Sequence, residues 1–393
     1  MEERGFRGLE GLDLVRVGRQ RSITLDAAPT VLPPFLNLRP KKAYPMTSDR
    51  LEAARASRTT LLVLALILAG LLLGPGCNSN PQQRSADGRR SVNIGIQVSP
   101  AMTLVMVAKD AGFFEAEGLD VSLKQFTAGK FALQSFMGRS LDFAVSGDVP
   151  VCLAALQGNQ MRVVTQVVDK TINEVRIVAL RDGDTGNPTP QQYFGARKRK
   201  IATSIGGGPE FFTYDFLRHH RIPDSQVEII SQRPEDMPAA LETHSVDAIS
   251  IFDPFAFIAE KRLGNQVVTF RAPELYSELY VLVARPEQVE KDPALISAVL
   301  RAMMKAEDFV AQNPDKAKQI MQSYTKLDQD VIDGIWGSFS FKVALDQALI
   351  NDWNEEAIWA RDTGKLGNGK IPDFQNYVEK RFLEQLKPAA VRL

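Results

Sequence analysis

The spacing of hydrophobic positions divides the chain after residue 90 into three parts. In the first part, hydrophobic residues alternate with other residues at Val92, Ile94, Ile96 and Val98, which is typical of a strand. Strands are predicted at 92–98, 119–126, 141–146, 162–168 and 175–180, with helices at 102–109, 130–138 and 149–157. Strands and helices that alternate at this spacing predict an α/β unit with a largely parallel sheet.

A second α/β series follows the Gly- and Pro-containing loop at 181–190. Its strands are predicted at 201–204, 227–230, 247–252, 267–270 and 279–284, and its helices at 209–220, 234–243 and 254–262. Beyond residue 285 the apolar residues recur three and four positions apart, as at Leu295, Val299 and Met303. This third part is therefore predicted to be helical throughout, with helices around 293–313, 315–324, 328–338 and 346–363.

Three consecutive glycines, Gly206 to Gly208, separate the first strand of the second series from a helix. Pro209 suits the first helical position because its missing N–H would have no partner there. Phe212 and Phe216 give the helix an apolar face. A glycine turn at a helix N-terminus leaves N–H groups free for a small polar ligand. The same pattern also fits a tight connection that binds nothing.

The N-terminal region carries an export signal. Arg55 and Arg58 precede an uncharged hydrophobic run at 61–73, which is short for a membrane-spanning helix and typical of a secretory signal peptide. The signal peptide is assigned to residues 46–77, and residues 78–91 are a polar linker. Because such signals start near the N-terminus, we expect translation to begin at Met46. Residues 1–45 are then a non-native or disordered extension.

The signal ends in LLLGPGC, which resembles a bacterial lipoprotein signal. In that signal the cysteine is lipidated and becomes the first residue of the mature protein, so Cys77 is the expected lipid anchor to the membrane. Plain secretion after cleavage is the alternative. If Cys77 is lipidated, Cys152 is the remaining cysteine, no disulfide forms, and a buried thiol is expected.

Composition excludes several functions. The 393 residues are 44% hydrophobic and 24% charged, as in a globular protein, and the formal net charge is zero. No basic stripe indicates a nucleic-acid partner. The histidines, at 219, 220 and 244, lack metal-ligand spacing, and the glycine turn is not a phosphate-binding loop. The sequence therefore predicts no metal, no cofactor and no catalytic residue.

Four segments in order resemble the periplasmic solute-binding proteins of ABC importers for nitrate, taurine, aliphatic sulfonates and thiamine-precursor pyrimidines. These segments are AKDAGFFEAEGLDVSLKQF, LDFAVSGDVP, ATSIGGGPEFFTYDFL and VDAISIFDPFAFIA. The resemblance covers roughly residues 92–378. It implies the α/β fold of a type II-like periplasmic binding protein, with two α/β lobes joined by two crossover strands and a ligand cleft between them.

The resemblance also implies boundaries and partners. Residues 92–180 and 281–393 would form lobe 1, residues 181–280 would form lobe 2, and the crossovers would lie near 175–180 and 279–285. The protein would be an extracytoplasmic monomer that captures a small organic solute by lobe closure. It would deliver this solute to a membrane permease and its ATPase subunit.

Ligands of open α/β sheets bind outside the carboxyl ends of the strands, and this rule selects ten candidate residues. They are Gln97, Ser99, Phe126, Thr127, Gly147, Asp148, Ser204, Gly206, Gly207 and Asp253. Turn capping is the alternative role for each hydroxyl side chain in this set.

Asp148 and Asp253 are the most informative of these candidates. A site for nitrate or sulfonate alone should present N–H groups and cations, whereas a buried carboxylate needs a donor as its partner. We therefore expect a ligand that is a zwitterion or a nitrogen-containing ring. The alternative is that the two aspartates cap the helices beginning at 149 and 254.

Two other functional classes share the fold. A pyrimidine-synthesising enzyme of this family would carry a cysteine cluster, which this chain lacks. A ligand-sensing or protein-binding lipoprotein stays open, and it would predict an occluded or apolar cleft.

Overall fold

The computed structural model describes residues 87–183, 186–367 and 369–393. The signal peptide, Cys77 and residues 1–45 lie outside the described residues. In the part that is described, no helix is both long enough and apolar enough to cross a membrane.

Twelve strands occur in the described residues. They are β1 (Arg90–Gln97), β2 (Leu119–Phe126), β3 (Phe143–Gly147), β4 (Arg162–Thr171), β5 (Arg176–Leu180), β6 (Arg199–Thr203), β7 (Val227–Ser231), β8 (Ala248–Ile251), β9 (Val267–Phe270), β10 (Tyr280–Ala284), β11 (Phe339–Asp346) and β12 (Val391–Arg392). They form a seven-stranded sheet in the order β12-β11-β4-β10-β3-β1-β2 and a five-stranded sheet in the order β7-β6-β8-β5-β9. We call the units built on these sheets the first and the second lobe.

Fourteen α-helices cover the sheets in the described residues. They are α1 (Thr103–Asp110), α2 (Phe113–Ala116), α3 (Gly129–Met137), α4 (Asp148–Leu156), α5 (Pro190–Ala196), α6 (Gly208–His219), α7 (Met237–Glu242), α8 (Phe255–Leu263), α9 (Pro286–Lys291), α10 (Pro293–Gln312), α11 (Pro314–Thr325), α12 (Gln329–Ile335), α13 (Gln347–Asp362) and α14 (Arg381–Leu386). Each lobe has its own buried hydrophobic core. The predicted stripe of Leu295, Val299 and Met303 packs in the core of the first lobe, so the C-terminal helices return to that lobe.

The chain crosses between the lobes twice. It leaves the first sheet after Thr171 and enters the second sheet at Arg176, and it returns between Phe270 and Tyr280. We call residues 172–175 the first crossing segment and residues 271–279 the second crossing segment. The predicted crossover strands correspond to β5 and β10, but each is hydrogen-bonded inside a sheet. The first crossing therefore precedes β5, whereas the expected boundary at residue 180 follows it.

Two sequence predictions for the elements were wrong, and one helix was not predicted. The region beyond 285 contains β11, whose Phe339, Phe341, Val343 and Leu345 alternate along a strand paired with β4. The first sheet is mixed, because β10 runs antiparallel to both β3 and β4. The helix α5, which follows the predicted loop at 181–190 and begins with a capping box at Thr189, was not predicted.

Candidate ligand-binding site

Gln97 connects three elements at the edge of the first sheet that faces the second lobe. Its amide oxygen accepts a hydrogen bond of 2.8 Å from the N–H of Gly129, the first residue of α3. Its amide nitrogen donates to the hydroxyl of Tyr280 across 3.4 Å. Gln97 is only 3% exposed, so the end of β1 is held against α3 and β10.

Asp148 links the first lobe to the second crossing segment. Its carboxylate accepts hydrogen bonds from the Tyr276 hydroxyl at 2.7 Å and from the Leu279 N–H at 3.1 Å. Burial raises the pKa of Asp148 to about 6, and these two hydrogen bonds oppose that rise. The partners of this carboxylate are therefore internal donors.

Asp253 has internal partners as well. Its two oxygens lie 2.9 and 3.0 Å from the guanidinium of Arg176, and one oxygen accepts from the Phe257 N–H at 3.1 Å. The residue is 1% exposed. The hydrogen bond from Phe257 connects Asp253 to the first turn of α8. This contact agrees with the alternative role of Asp253, which is capping of the helix that follows Pro254.

The glycine turn is held by charged side chains of both lobes. Gly206 has a φ of +79°, which favours glycine, and its N–H donates to Glu210 across 2.8 Å. Lys365 of the first lobe approaches Glu210 at 2.8 Å. Lys130, at the start of α3, donates to the Ser204 hydroxyl at 3.0 Å. Ser204 and Gly206 therefore both bond to protein groups in this structure.

Two glycines allow the Glu278 carboxyl group to lie between the lobes. A Cβ added to Gly147, at the end of β3, would lie 2.5 Å from Glu278 Oε1. A Cβ added to Gly208, the first residue of α6, would lie 2.9 Å from Glu278 Cδ and against the Tyr276 hydroxyl. A side chain at either position would therefore displace the Glu278 carboxyl group from the place it has here.

Glu174, on the first crossing segment, joins this group. Its Oε1 accepts a hydrogen bond of 2.8 Å from the hydroxyl of Tyr280. Burial raises the pKa of Glu174 well above its usual range, and the negative charge of Glu278 raises it further. Burial likewise raises the pKa of Glu278, with Asp148 as the next cause. The space between the lobes is therefore strongly acidic where the chain crosses.

The remaining predicted residues have separate environments. Ser99 accepts from the Ala101 N–H at 3.2 Å, which is the turn-capping role. Phe126 packs against the first core, Thr127 is exposed, and Gly207 is buried at the N-terminus of α6. Thus the structure brings Gln97, Gly147 and Asp148 together near the crossings.

The sequence reasoning missed Glu174, Glu278, Lys130 and Lys365. The positions of the two glutamates in the sequence could have indicated them. Each stands two residues before a buried strand and directly before a hydrophobic residue, Val175 or Leu279. The two lysines gave no such signal, since their role depends on the docking of two lobes.

The described residues contain no group of three or more His, Cys, Asp or Glu that could hold a metal ion. Cys152 is buried in α4, as expected, and burial raises the pKa of its thiol. His219 is exposed and His220 half-buried at the end of α6.

The two lobes, the crossing segments and the charged groups between them define the fold of a periplasmic binding protein. The sequence model of the NMT1-like family matches residues 85–324, and the chain belongs to this family. Structural comparison agrees: the aliphatic sulphonate binding protein SsuA from Escherichia coli superposes with a TM-score of 0.61 at 19% identity. That match covers 73% of this chain and 96% of SsuA.

Relatives in sequence are named as binding proteins. A Bacillus subtilis protein named for binding aliphatic sulfonates is 26% identical over 277 residues, which is 69% of this chain and 81% of the relative. The taurine-binding periplasmic protein of Escherichia coli is 22% identical over 312 residues, covering 75% of this chain and 94% of the relative.

Proposed function

We propose that this protein is the extracytoplasmic solute-binding component of an ABC importer. It captures a small organic solute between its lobes and delivers it to a permease with an ATPase subunit. The relatives named for sulfonate and taurine binding support this class. In this proposal Cys77 anchors the mature protein to the outer face of the membrane.

The observation that carries the proposal is the mixed charge between the lobes. Asp148, Glu174 and Glu278 are buried at the crossings, whereas Lys130 and Lys365 lie at the glycine turn. A nitrate ion has no group that suits the acidic end. A solute with both an anionic group and a nitrogen that carries hydrogen suits both ends, so the proposed ligand is a zwitterion or a nitrogen-containing ring.

Closure of the lobes is supported by contacts that span them. Lys130 bonds to Ser204 and Lys365 to Glu210, and the ring of Phe211 on α6 lies edge-on to Trp359 on α13, with centroids 5.5 Å apart. Opening would separate these pairs and expose the crossing segments. A solute could then enter and be enclosed when the contacts re-form.

The melting temperature of the full chain tests the proposal. Taurine, alkanesulfonates, nitrate and aminopyrimidines are added separately, and we expect a rise with at least one nitrogen-bearing organic member. A rise with nitrate alone would contradict the proposed ligand class. No rise with any member of a broad metabolite panel would contradict solute capture and favour a protein-binding role.

A further inference from the structure

Each crossing segment places one glutamate in the same position relative to the strand that follows. Glu174 precedes β5 by two residues and Glu278 precedes β10 by two residues. They are 1% and 4% exposed, which is unusual for glutamate unless it has a partner. We call this pair the crossing glutamates.

Each crossing glutamate has one oxygen without a hydrogen-bond partner among the described residues. These atoms are Glu174 Oε2 and Glu278 Oε2. Burying a carboxylate oxygen without a donor destabilises the folded protein, and more so when the group is charged. Buried polar atoms normally have partners, so two such atoms in one place point to a partner that the protein itself does not supply.

The cations nearby in the fold are engaged elsewhere. Arg176, two residues after Glu174, contacts Asp253 at 2.9 Å and Glu260 at 2.7 Å. Within the described part of the chain, neither crossing glutamate forms an ion pair. Charge neutralisation must therefore come from protons or from a bound molecule.

The position of the pair suits a molecule that enters between the lobes. The carboxyl group of Glu278 lies against Gly147 of the first lobe and Gly208 of the second. Glu174 is fixed by Tyr280, which pairs with Gly147 across the sheet. Opening of the lobes removes α6 from Glu278 and gives a ligand access to both glutamates.

We propose that Glu174 and Glu278 bind a protonated amine or an amidine-type group of the solute, which donates N–H hydrogen bonds to their free oxygens. This inference rests on the proposed function. It assigns the recognition of the ligand's nitrogen to the two segments that bend when the lobes close. Binding and closure are then coupled, because the ligand joins residues of both crossings.

Glu356 is a different case. It is fully buried on α13 with both oxygens unpartnered among the described residues, but it packs inside the first lobe near the Cys152 thiol. It belongs to neither crossing segment.

Two matched pairs of probes isolate the nitrogen. Taurine differs from ethanesulfonate by its ammonium group, and 4-aminopyrimidine differs from pyrimidine by its amino group. Calorimetric titrations use the full chain and its Glu174→Gln, Glu278→Gln and Glu242→Gln variants. Glu242, exposed at the end of α7, is the control.

The expected result is that the nitrogen-bearing member of at least one pair binds the wild type about tenfold or more tightly than its counterpart, because hydrogen bonds to charged groups are the stronger ones. A tenfold difference in affinity corresponds to about 1.4 kcal/mol. This preference should vanish in both crossing variants and persist in Glu242→Gln. The crossing variants should stay folded, with an equal or higher melting temperature, because each loses an unpaired buried charge.

Equal binding of both members of each pair, or a preference that survives both substitutions, would overturn the inference. So would a melting-temperature rise with nitrate and alkanesulfonates but with neither nitrogen-bearing probe, an outcome that leaves solute binding intact. If no solute in either panel binds, the proposed function fails together with the inference.

Discussion

The Tyr276 hydroxyl donates a hydrogen bond to the Asp148 carboxylate across 2.7 Å and thereby joins the second crossing segment to the helix after β3. Tyr276 also touches Gly208, the first residue of the helix after the glycine turn. The Tyr276 side chain thus contacts both lobes at the point where they meet. Substitutions around it should distinguish contacts that stabilise the fold from contacts that lobe closure requires.

Replacing Tyr276 with Phe should destabilise the protein. Asp148 is fully buried and would lose one of its donors, which typically costs about 1–3 kcal/mol. Urea unfolding of the full chain measures the change. Tyr214→Phe is the control, because the Tyr214 hydroxyl only accepts from Arg218 at the surface, and a change below about 0.5 kcal/mol is expected there. Equal effects of the two substitutions would contradict the role given to Tyr276.

Replacing Gly208 with Ala should weaken closure more than folding. The added methyl group would lie 2.9 Å from Glu278 Cδ, so the lobes could not approach as they do here. We expect solute affinity to fall about tenfold or more in calorimetry, with circular dichroism unchanged. Gly195→Ala in α5 is the matched control, because no atom lies within 4 Å of its added methyl group and helix propensity favours alanine. Unchanged affinity in Gly208→Ala would show that this contact is not needed for binding.

The ligand-free protein should gain more stability from Glu278→Gln at pH 8 than at pH 5. Burial raises the pKa of Glu278 above its unfolded value, so ionisation favours the unfolded state. The penalty is absent below the unfolded pKa and grows as pH rises toward the folded pKa. Melting temperatures of both proteins at the two pH values measure the difference.

Other ionisable groups lie near Glu278. They are Asp148, Tyr276, Tyr280, Glu174, Glu356, Asp352, Asp253 and Arg176. Groups that titrate alike in wild type and variant cancel in the comparison at each pH. Glu174 does not, because its pKa is raised by burial and by the charge of Glu278, and removing that charge adds to the gain at pH 8. A gain that is larger at pH 5 would contradict an unpaired carboxyl group at this position.

Replacing Lys130 with Met should favour the open lobes in the absence of solute. The ammonium group of Lys130 bonds to the Ser204 hydroxyl at 3.0 Å and to the Ile205 carbonyl at 2.8 Å, and both bonds cross between the lobes. Small-angle X-ray scattering should show a larger radius of gyration. Lys124→Met, at an exposed position on β2, should leave it unchanged. An unchanged radius in Lys130→Met would show that this lysine does not hold the lobes together.

Much of the fold could be predicted, because alternation such as that of Val92, Ile94 and Ile96 is a local signal. The start of α10 could be predicted as well, because Asp292 suits the N-cap position and Pro293 suits the first helical position. The strand β11 was missed although Phe339 and Phe341 alternate, because its neighbours on both sides have helical patterns. Local patterns therefore predict where strands and helices lie better than they predict how the strands of the first sheet pair.

The site was harder to predict for two physical reasons. The rule that ligands bind at carboxyl ends of strands led to Gly147, but β10 runs antiparallel to β3, so its amino-terminal end reaches the same edge. Glu278 therefore lies at the site although it precedes a strand. The pairing of Arg176 with Asp253 joins residues 77 positions apart, and no local pattern predicts it.

Amide hydrogen exchange of the full chain, with and without its tightest-binding solute, tests most directly whether the solute is captured between the lobes. We expect the solute to slow exchange in all four places: the crossing segments 172–175 and 271–279, the end of β3, and the glycine turn at 204–208. Protection confined to one lobe, with the crossing segments unchanged, would contradict this expectation.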